Sequence, residues 1–259
     1  MSFFDKFRGF GWTQLERLIE PAGSTGLGVA LPFAYVRIPG ERAEQAVDIL
    51  LRERPGVTPV IIGDEDKIRH LVEFFGDSDF DQGPPEDIID KANAFDVDGW
   101  FESRKREYND YASEDGVEMP PRSDWPEAVE TQNSLVSTRD VLTGKFHESI
   151  AIALLPTGGA HHEAAAYLNM GDWNEMPDAI VQVALHKRWA KEWGARPVVL
   201  AFDTIEFAVT SSPRSRTDAL RLGNEHFLAC NDIIDQGFGS LENLAGSLIG
   251  ARNWYLWWD

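Results

Sequence analysis

The sequence predicts a mixed α/β (α+β) fold, with sheet layers covered by helices and an acidic helical insertion set between two better-packed parts. Short apolar runs with strand character alternate with helical stripes in both the first and last thirds of the chain. Between them, residues 77–130 carry 17 acidic and 5 basic side chains, a charge density that favours water over a core. The reading is of one integrated unit: an N-terminal α/β part (1–76), an acidic helical insertion and loop (77–135), and a C-terminal module (148–259).

In the first part, Ala34-Tyr35-Val36-Arg37-Ile38 alternates as a strand should, and Pro39-Gly40 breaks it. Ala43, Ala46, Val47 and Leu50 recur at helical spacing, and Gly56 follows the helix. Val60-Ile61-Ile62 is continuous and apolar, as in a strand covered on both faces. Asp64 then caps a helix striped by Ile68, Leu71, Val72 and Phe75. Strand, helix, strand, helix predicts a parallel β-α-β element.

The acidic segment reads as two helices. Ile88, Ala92 and Phe95 stripe one; Phe101, Arg104, Tyr108 and Tyr111 stripe the other, with Asp96-Val97-Asp98-Gly99 between them. Pro120-Pro121 and Pro126 make the next stretch a loop. In the last part, Ile150 to Leu155 is a strand, and Val181, Leu185, Trp189 and Trp193 fall on one helix face closed by Gly194. Runs 198–202 and 205–209 predict a hairpin turning at Asp203-Thr204. Ser212-Pro213 starts a further helix, Ser240 caps a short one, and Trp254-Tyr255-Leu256-Trp257-Trp258 ends as a strand with apolar residues on both faces.

Composition narrows the function. The net charge of -19 argues against free nucleic acid, which needs a basic footprint, and against an anionic membrane surface. A basic partner or a cation is electrostatically easier. The single cysteine, Cys230, allows neither an internal disulfide nor a cysteine zinc site and suits a reducing cytoplasm. Met1–Lys6, with Asp5, does not read as a signal peptide. No apolar run approaches the roughly 20 residues of a membrane span.

Several C-terminal motifs carry a family resemblance. They are Gly171-Asp172-Trp173-Asn174 with Pro177, Trp189 with Gly194-Ala195, Asp203 with Glu206, Cys230-Asn231-Asp232-Ile233-Ile234-Asp235-Gln236-Gly237, and the aromatic ending. Together they resemble an uncharacterised, mainly bacterial family, domain of unknown function 4253, across about 148–259. Pro59–Gly63 and Asp98–Phe101 are similar to its usual N-terminal accompaniment. Asn231 stands where the family pattern has proline. The resemblance implies a shared module and brings no reaction with it.

The chemical motifs read mostly as structural. His161-His162 are adjacent, so they point apart on a helix or a strand and do not share one ion. Pro156-Thr157-Gly158-Gly159 lacks both phosphate-loop spacings and reads as a turn. No G-x-S-x-G elbow occurs, and Cys230 continues an apolar helix face as a buried thiol. The constellation left is Asp203, Glu206, Asp232, Asp235 and Gln236, with Trp173 and Asn174 as neighbours. Carboxylates at turns on a rigid scaffold can bind a ligand, do acid–base work or hold a hard cation. The leading expectation is a soluble cytoplasmic binding or interaction module whose ligand the sequence does not identify, a protein partner being one candidate. The alternative is a hydrolase using these carboxylates, with Mg²⁺ or another hard divalent cation. No cofactor pattern is identifiable.

Overall fold

The computed structural model describes residues 10–76, 81–115 and 119–259, with the backbone alone at 74–76 and 111–115. The expected contacts of Phe75 and Tyr111, the segment Met1–Lys6, and the stretches 77–80 and 116–118 of the acidic segment lie outside the described residues.

Among the described residues, seven strands form one sheet: β1 (Ile19–Glu20), β2 (Ala34–Ile38), β3 (Thr58–Gly63), β4 (Ile150–Leu155), β5 (Arg196–Ala201), β6 (Thr204–Ala208) and β7 (Asn253–Trp257). Their order is β1-β2-β4-β3-β5-β6-β7. Every neighbouring pair is antiparallel except β3 with β5. The expected β-α-β pair is therefore corrected: β2 and β3 run in the same direction but do not touch, because β4 lies between them, antiparallel to both. Its sequence explains the intrusion. Ile150-Ala151-Ile152-Ala153-Leu154-Leu155 is buried at every position, so neither face nor edge of this strand is suited to water.

Successive residues along these strands feed two cores. Val36, Ile38, Ile61, Ile152 and Val199 face α2 (Ala43–Glu53), which packs Ala46, Val47 and Leu50 on them, and α1 (Trp12–Glu16), which adds Leu15. Tyr35, Val60, Ile62, Ala153, Phe207 and Trp254 face the opposite layer. That layer holds α3 (Glu65–Gly76), α4 (Pro85–Asn93), α5 (Val97–Asp115), α6 (Ala164–Tyr167), α7 (Ala179–Trp193), α8 (Arg216–Ala229) and α9 (Leu241–Leu248). The helices of the acidic segment share this core through Ile88, Ala92 and Phe101, while Glu86, Asp87, Asp90, Asp98, Glu102 and Glu107 stay exposed.

Local signals place most boundaries. Asp64 Oδ1 accepts from Lys67 N at 3.1 Å, and Asp178 caps α7 by accepting from Val181 N at 2.8 Å. The hairpin turns one residue earlier than expected, at Phe202-Asp203, because Ala201 already pairs with Thr204. Helix α8 begins at Arg216 rather than after Ser212-Pro213. Ser215 is its cap, accepting from Asp218 N at 3.1 Å, and a serine hydroxyl there satisfies an amide that proline cannot offer. At Gly223 an added Cβ would lie 3.2 Å from Leu241 and 3.5 Å from Ala245, so glycine sets the close approach of α8 and α9. No helix among the described residues is long and apolar enough to cross a membrane.

The helical core is centred on Trp189, whose Nε1 donates to Glu225 at 2.9 Å. Edge-on against its ring sit Phe207 and His226, at centroid distances of 5.6 and 5.0 Å. His226 has neither ring nitrogen hydrogen-bonded, and His186 lacks a partner at Nδ1. Burial depresses both imidazoles to about 3, because a charge there would lie among aromatic rings. Above pH 6.5 neither the folded nor the unfolded chain protonates these groups. Below it only the unfolded chain does, until about pH 3. Two such groups, each reaching the full slope of about 1.4 kcal/mol per pH unit only well below 6.5, predict a loss of roughly 2 kcal/mol between pH 6.5 and 5.5. Urea unfolding at pH 7.5, 6.5 and 5.5 measures it. A His226→Leu variant should show a shallower loss, and equal stability at all three pH values would contradict the assignment.

Candidate functional site

The structure separates the carboxylates that the sequence groups together. Glu206 lies on β6 facing the α2 side of the sheet and is fully buried. Its Oε1 accepts from Ser137 N at 2.7 Å; its Oε2 accepts from Val136 N at 2.8 Å and Gln132 Nε2 at 3.2 Å. Burial pushes this carboxyl above the ordinary range, the Ser137 and Val136 bonds pull it back, and Glu44 pushes it up again. Glu206 therefore fastens a loop to the sheet.

That loop, 119–149, contains no helix or strand beyond an isolated Arg139–Phe146 bridge, and connections of this length inside a compact domain are uncommon. It is also held elsewhere. Glu242 accepts from Ser123 N at 2.8 Å and Arg122 Nε at 2.7 Å. Arg252 N and Asn253 N donate to Gln132 O, each at 3.3 Å, and Gly40 N donates to His147 O at 2.9 Å.

Between the fastened loop and the ends of β3, β5 and β7 lies a pocket of about 230 Å³. Its inner wall is Ala201, Thr204, Tyr255 and Trp257, and its outer wall is Val136, Ser137 and the 139–142 turn. Tyr255 and Trp257 were expected to be covered on this face; instead both are half-buried, while Trp254, Leu256 and Trp258 fill the opposite core. The pocket opens where parallel β3 and β5 both end, the edge at which open sheets commonly bind ligands. Lys67 on α3 forms an ion pair with Asp203 there, and His147 Nδ1 lies 3.5 Å from Asp64 Oδ2. Gly63, at φ +99°, is required, because a Cβ on it would lie 2.6 Å from Lys67 Cβ. Tyr255 is pushed up to about 12, chiefly by burial, so at neutral pH its hydroxyl keeps its proton and can donate.

A hydrogen-bonded turn forms the rim. Asp140 Oδ1 accepts from Thr143 N at 2.7 Å and Thr143 Oγ1 at 2.6 Å, and Asp140 N donates to Lys145 O at 2.8 Å. It projects Val141 and Leu142, 80% and 95% exposed. Arg139 packs its guanidinium 3.5 Å from the Phe146 ring centroid.

Of the other sequence-selected residues, Asp232 and Asn174 bond Asp259. Asp232 Oδ2 accepts from Asp259 N at 3.0 Å, its Oδ1 accepts from Gln236 Nε2 at 3.1 Å, and Asn174 Nδ2 bonds Asp259 O. Trp173 tilts against Phe202 at a centroid distance of 4.4 Å. Burial raises the Asp235 carboxyl, Asn231 lowers it, and Asp232 and Glu175 raise it further. Of the selected set, only Asp203 and Glu206 bear on the pocket. Asp64, Lys67, Val141, Leu142, His147, Tyr255 and Trp257 were missed. The sequence signal for the rim is an apolar Val-Leu pair between turn-forming Asp140 and Thr143-Gly144.

The remaining motifs are structural. Cys230 donates Sγ–H to Trp257 O at 3.0 Å, and burial pushes its thiol up to about 12, so it is not a nucleophile. His161 Nδ1 bonds the Thr58 hydroxyl at 2.8 Å, while His162 lies 4.0 Å from Glu163. Among the described residues, no group of three or more His, Cys, Asp or Glu side chains is arranged to hold a metal.

Residues 151–259 match the model of a family described as "Domain of unknown function (DUF4253)". The match covers the strands β4 to β7 and the helices between them, which supply the inner wall of the pocket. No curated protein and no solved structure matches the chain.

Replacing Glu206 with alanine strands the Val136 and Ser137 amides, at about 1–3 kcal/mol for each buried unpaired group. Glu206→Ala should therefore lower unfolding free energy by roughly 2–6 kcal/mol, measured by denaturant titration. A change below about 0.5 kcal/mol, the size of an ordinary surface substitution, would show that the carboxylate does not hold the loop.

Proposed function

With a family match that carries no activity of its own, we propose from the geometry that the protein is a cytoplasmic interaction module. It recognises a protein partner at the Val141–Leu142 rim and takes one large partner side chain into the neighbouring pocket. One observation carries this reading: a hydrogen-bonded turn holds two apolar side chains in solvent beside an aromatic-walled concavity. Exposed apolar residues are ordinary singly, but a paired display next to a pocket has the form of a binding hot spot and its anchor cavity.

Size supports a partner side chain over a free metabolite. At about 230 Å³ the pocket falls below the roughly 300–1,000 Å³ of small-molecule sites and suits a single aromatic side chain. Tyr255 and Trp257 offer ring faces, and Lys67, Thr204 and His147 offer polar contacts. The net charge of -19 would steer a basic partner toward the surface. The single, buried Cys230 supports a reducing compartment. The hydrolase alternative has less support, because Asp203 is paired with Lys67, Glu206 with loop amides and Asp232 with the 257–259 segment.

The test uses the full chain and a Val141→Ser/Leu142→Asp variant, which alters only exposed side chains and should keep the wild-type melting temperature. Both are used to capture partners from the source cell, and the interactor is then purified. Its affinity, measured by calorimetry, should fall at least tenfold for the variant and weaken as salt rises. Equal affinity for both proteins, or no interactor that distinguishes them, would overturn the proposal.

A further inference from the structure

A second concavity, of about 530 Å³, lies between α7 and the junction of α4 with α5. Its floor is apolar: Ala92, Phe95, Val97 and Ala184. Ala92 and Ala184 are buried, whereas Phe95 and Val97 remain part-exposed along the groove.

The rim is cationic, unlike the chain as a whole. Arg188 is neutralised by Asp98 and Glu225, and Glu192 by Arg221. Lys187 and Lys191 are both exposed. Lys187 Nζ bonds the neutral Asn93 Oδ1 at 2.5 Å, and neither lysine has an ion pair among the described residues. They stand four apart on α7, so their ammonium groups share one helix face and repel each other unless an anion lies between them.

We propose that this groove binds a free amphipathic anion, of which an unbranched medium-chain carboxylate is the simplest case. The alkyl chain lies along Phe95 and Val97, and the carboxylate bridges Lys187 and Lys191. Three features converge on that class. The volume is that of a small-molecule site. The floor provides apolar burial without polar groups that would need partners. The head-group position carries two lysines, of which Lys191 has no ion pair among the described residues and Lys187 has only the longer-range field of Glu163, in a chain of net charge -19 where anions are otherwise repelled. The groove shares no lining residue with the pocket beside Val141 and Leu142, so the two sites stand or fall separately.

The experiment is calorimetric titration of the full chain with decanoate below its micelle concentration, with decanol as the neutral analogue. The wild type should bind decanoate at a single saturable site and decanol at least tenfold more weakly. Lys187→Glu/Lys191→Glu changes only exposed side chains and should lose at least tenfold in decanoate affinity at an unaltered melting temperature. Phe95→Ala should weaken both ligands alike. No saturable decanoate binding, equal binding of decanol, or full affinity in the double lysine variant would each overturn the proposal.

Discussion

A fully buried carboxylate on a sheet strand must find donors, and Glu206 on β6 finds them in the 119–149 loop. An ionised group in a protein interior is tolerable only when its lone pairs are used. Here two backbone amides and one side-chain amide converge on it, all from residues 132–137. The dependence runs both ways. Glu206 needs the loop to be buried at all, and the loop, which has no helix or strand to fix it, needs Glu206 to hold one course. Once Val136 and Ser137 are fixed, the pocket has an outer wall and the 139–146 turn has a base to project from.

The same economy explains the layout of the sheet. The two strands buried at every position, β3 and β4, take the middle, and the shorter or half-exposed strands β1 and β7 take the edges. Inserting β4 between β2 and β3 joins the first third of the chain to the last in one hydrogen-bonded ladder. The single parallel contact, β3 with β5, sets two strand ends side by side at Gly63 and Ala201. Lys67 and Asp203 meet across that notch. The notch and the fastened loop together make a concavity in which a charged pair, aromatic faces and exposed apolar side chains adjoin.

Elements were legible in the sequence; their neighbours were not. Periodicity marked β2, α2, β3, α3, β4, α7, β6 and β7, because each encodes its own burial pattern. Strand order depends on which strand most needs two covered faces, a comparison across the whole chain, and so the β-α-β pattern gives the shared direction of β2 and β3 but not the strand between them. The site shows the same limit. Asp203 and Glu206 stand out as turn and strand carboxylates, yet spacing cannot show that one meets Lys67 and the other loop amides, since those partners are distant in sequence. Asp232, Asn174 and Gln236 looked like binding groups because they are polar residues at turns, and they serve the 257–259 segment instead. Val141 and Leu142 were passed over because loop residues carry no periodic signal.

The account rests on Glu206 holding residues 132–137 against β6, and amide hydrogen exchange reads that contact residue by residue. In the wild-type protein the Val136 and Ser137 amides should be protected although they lie in a segment without helix or strand. In Glu206→Gln, where a side-chain NH₂ replaces one acceptor oxygen, their protection should fall at least tenfold while the amides of β4 keep theirs. Unchanged protection of Val136 and Ser137 in that variant would contradict the account.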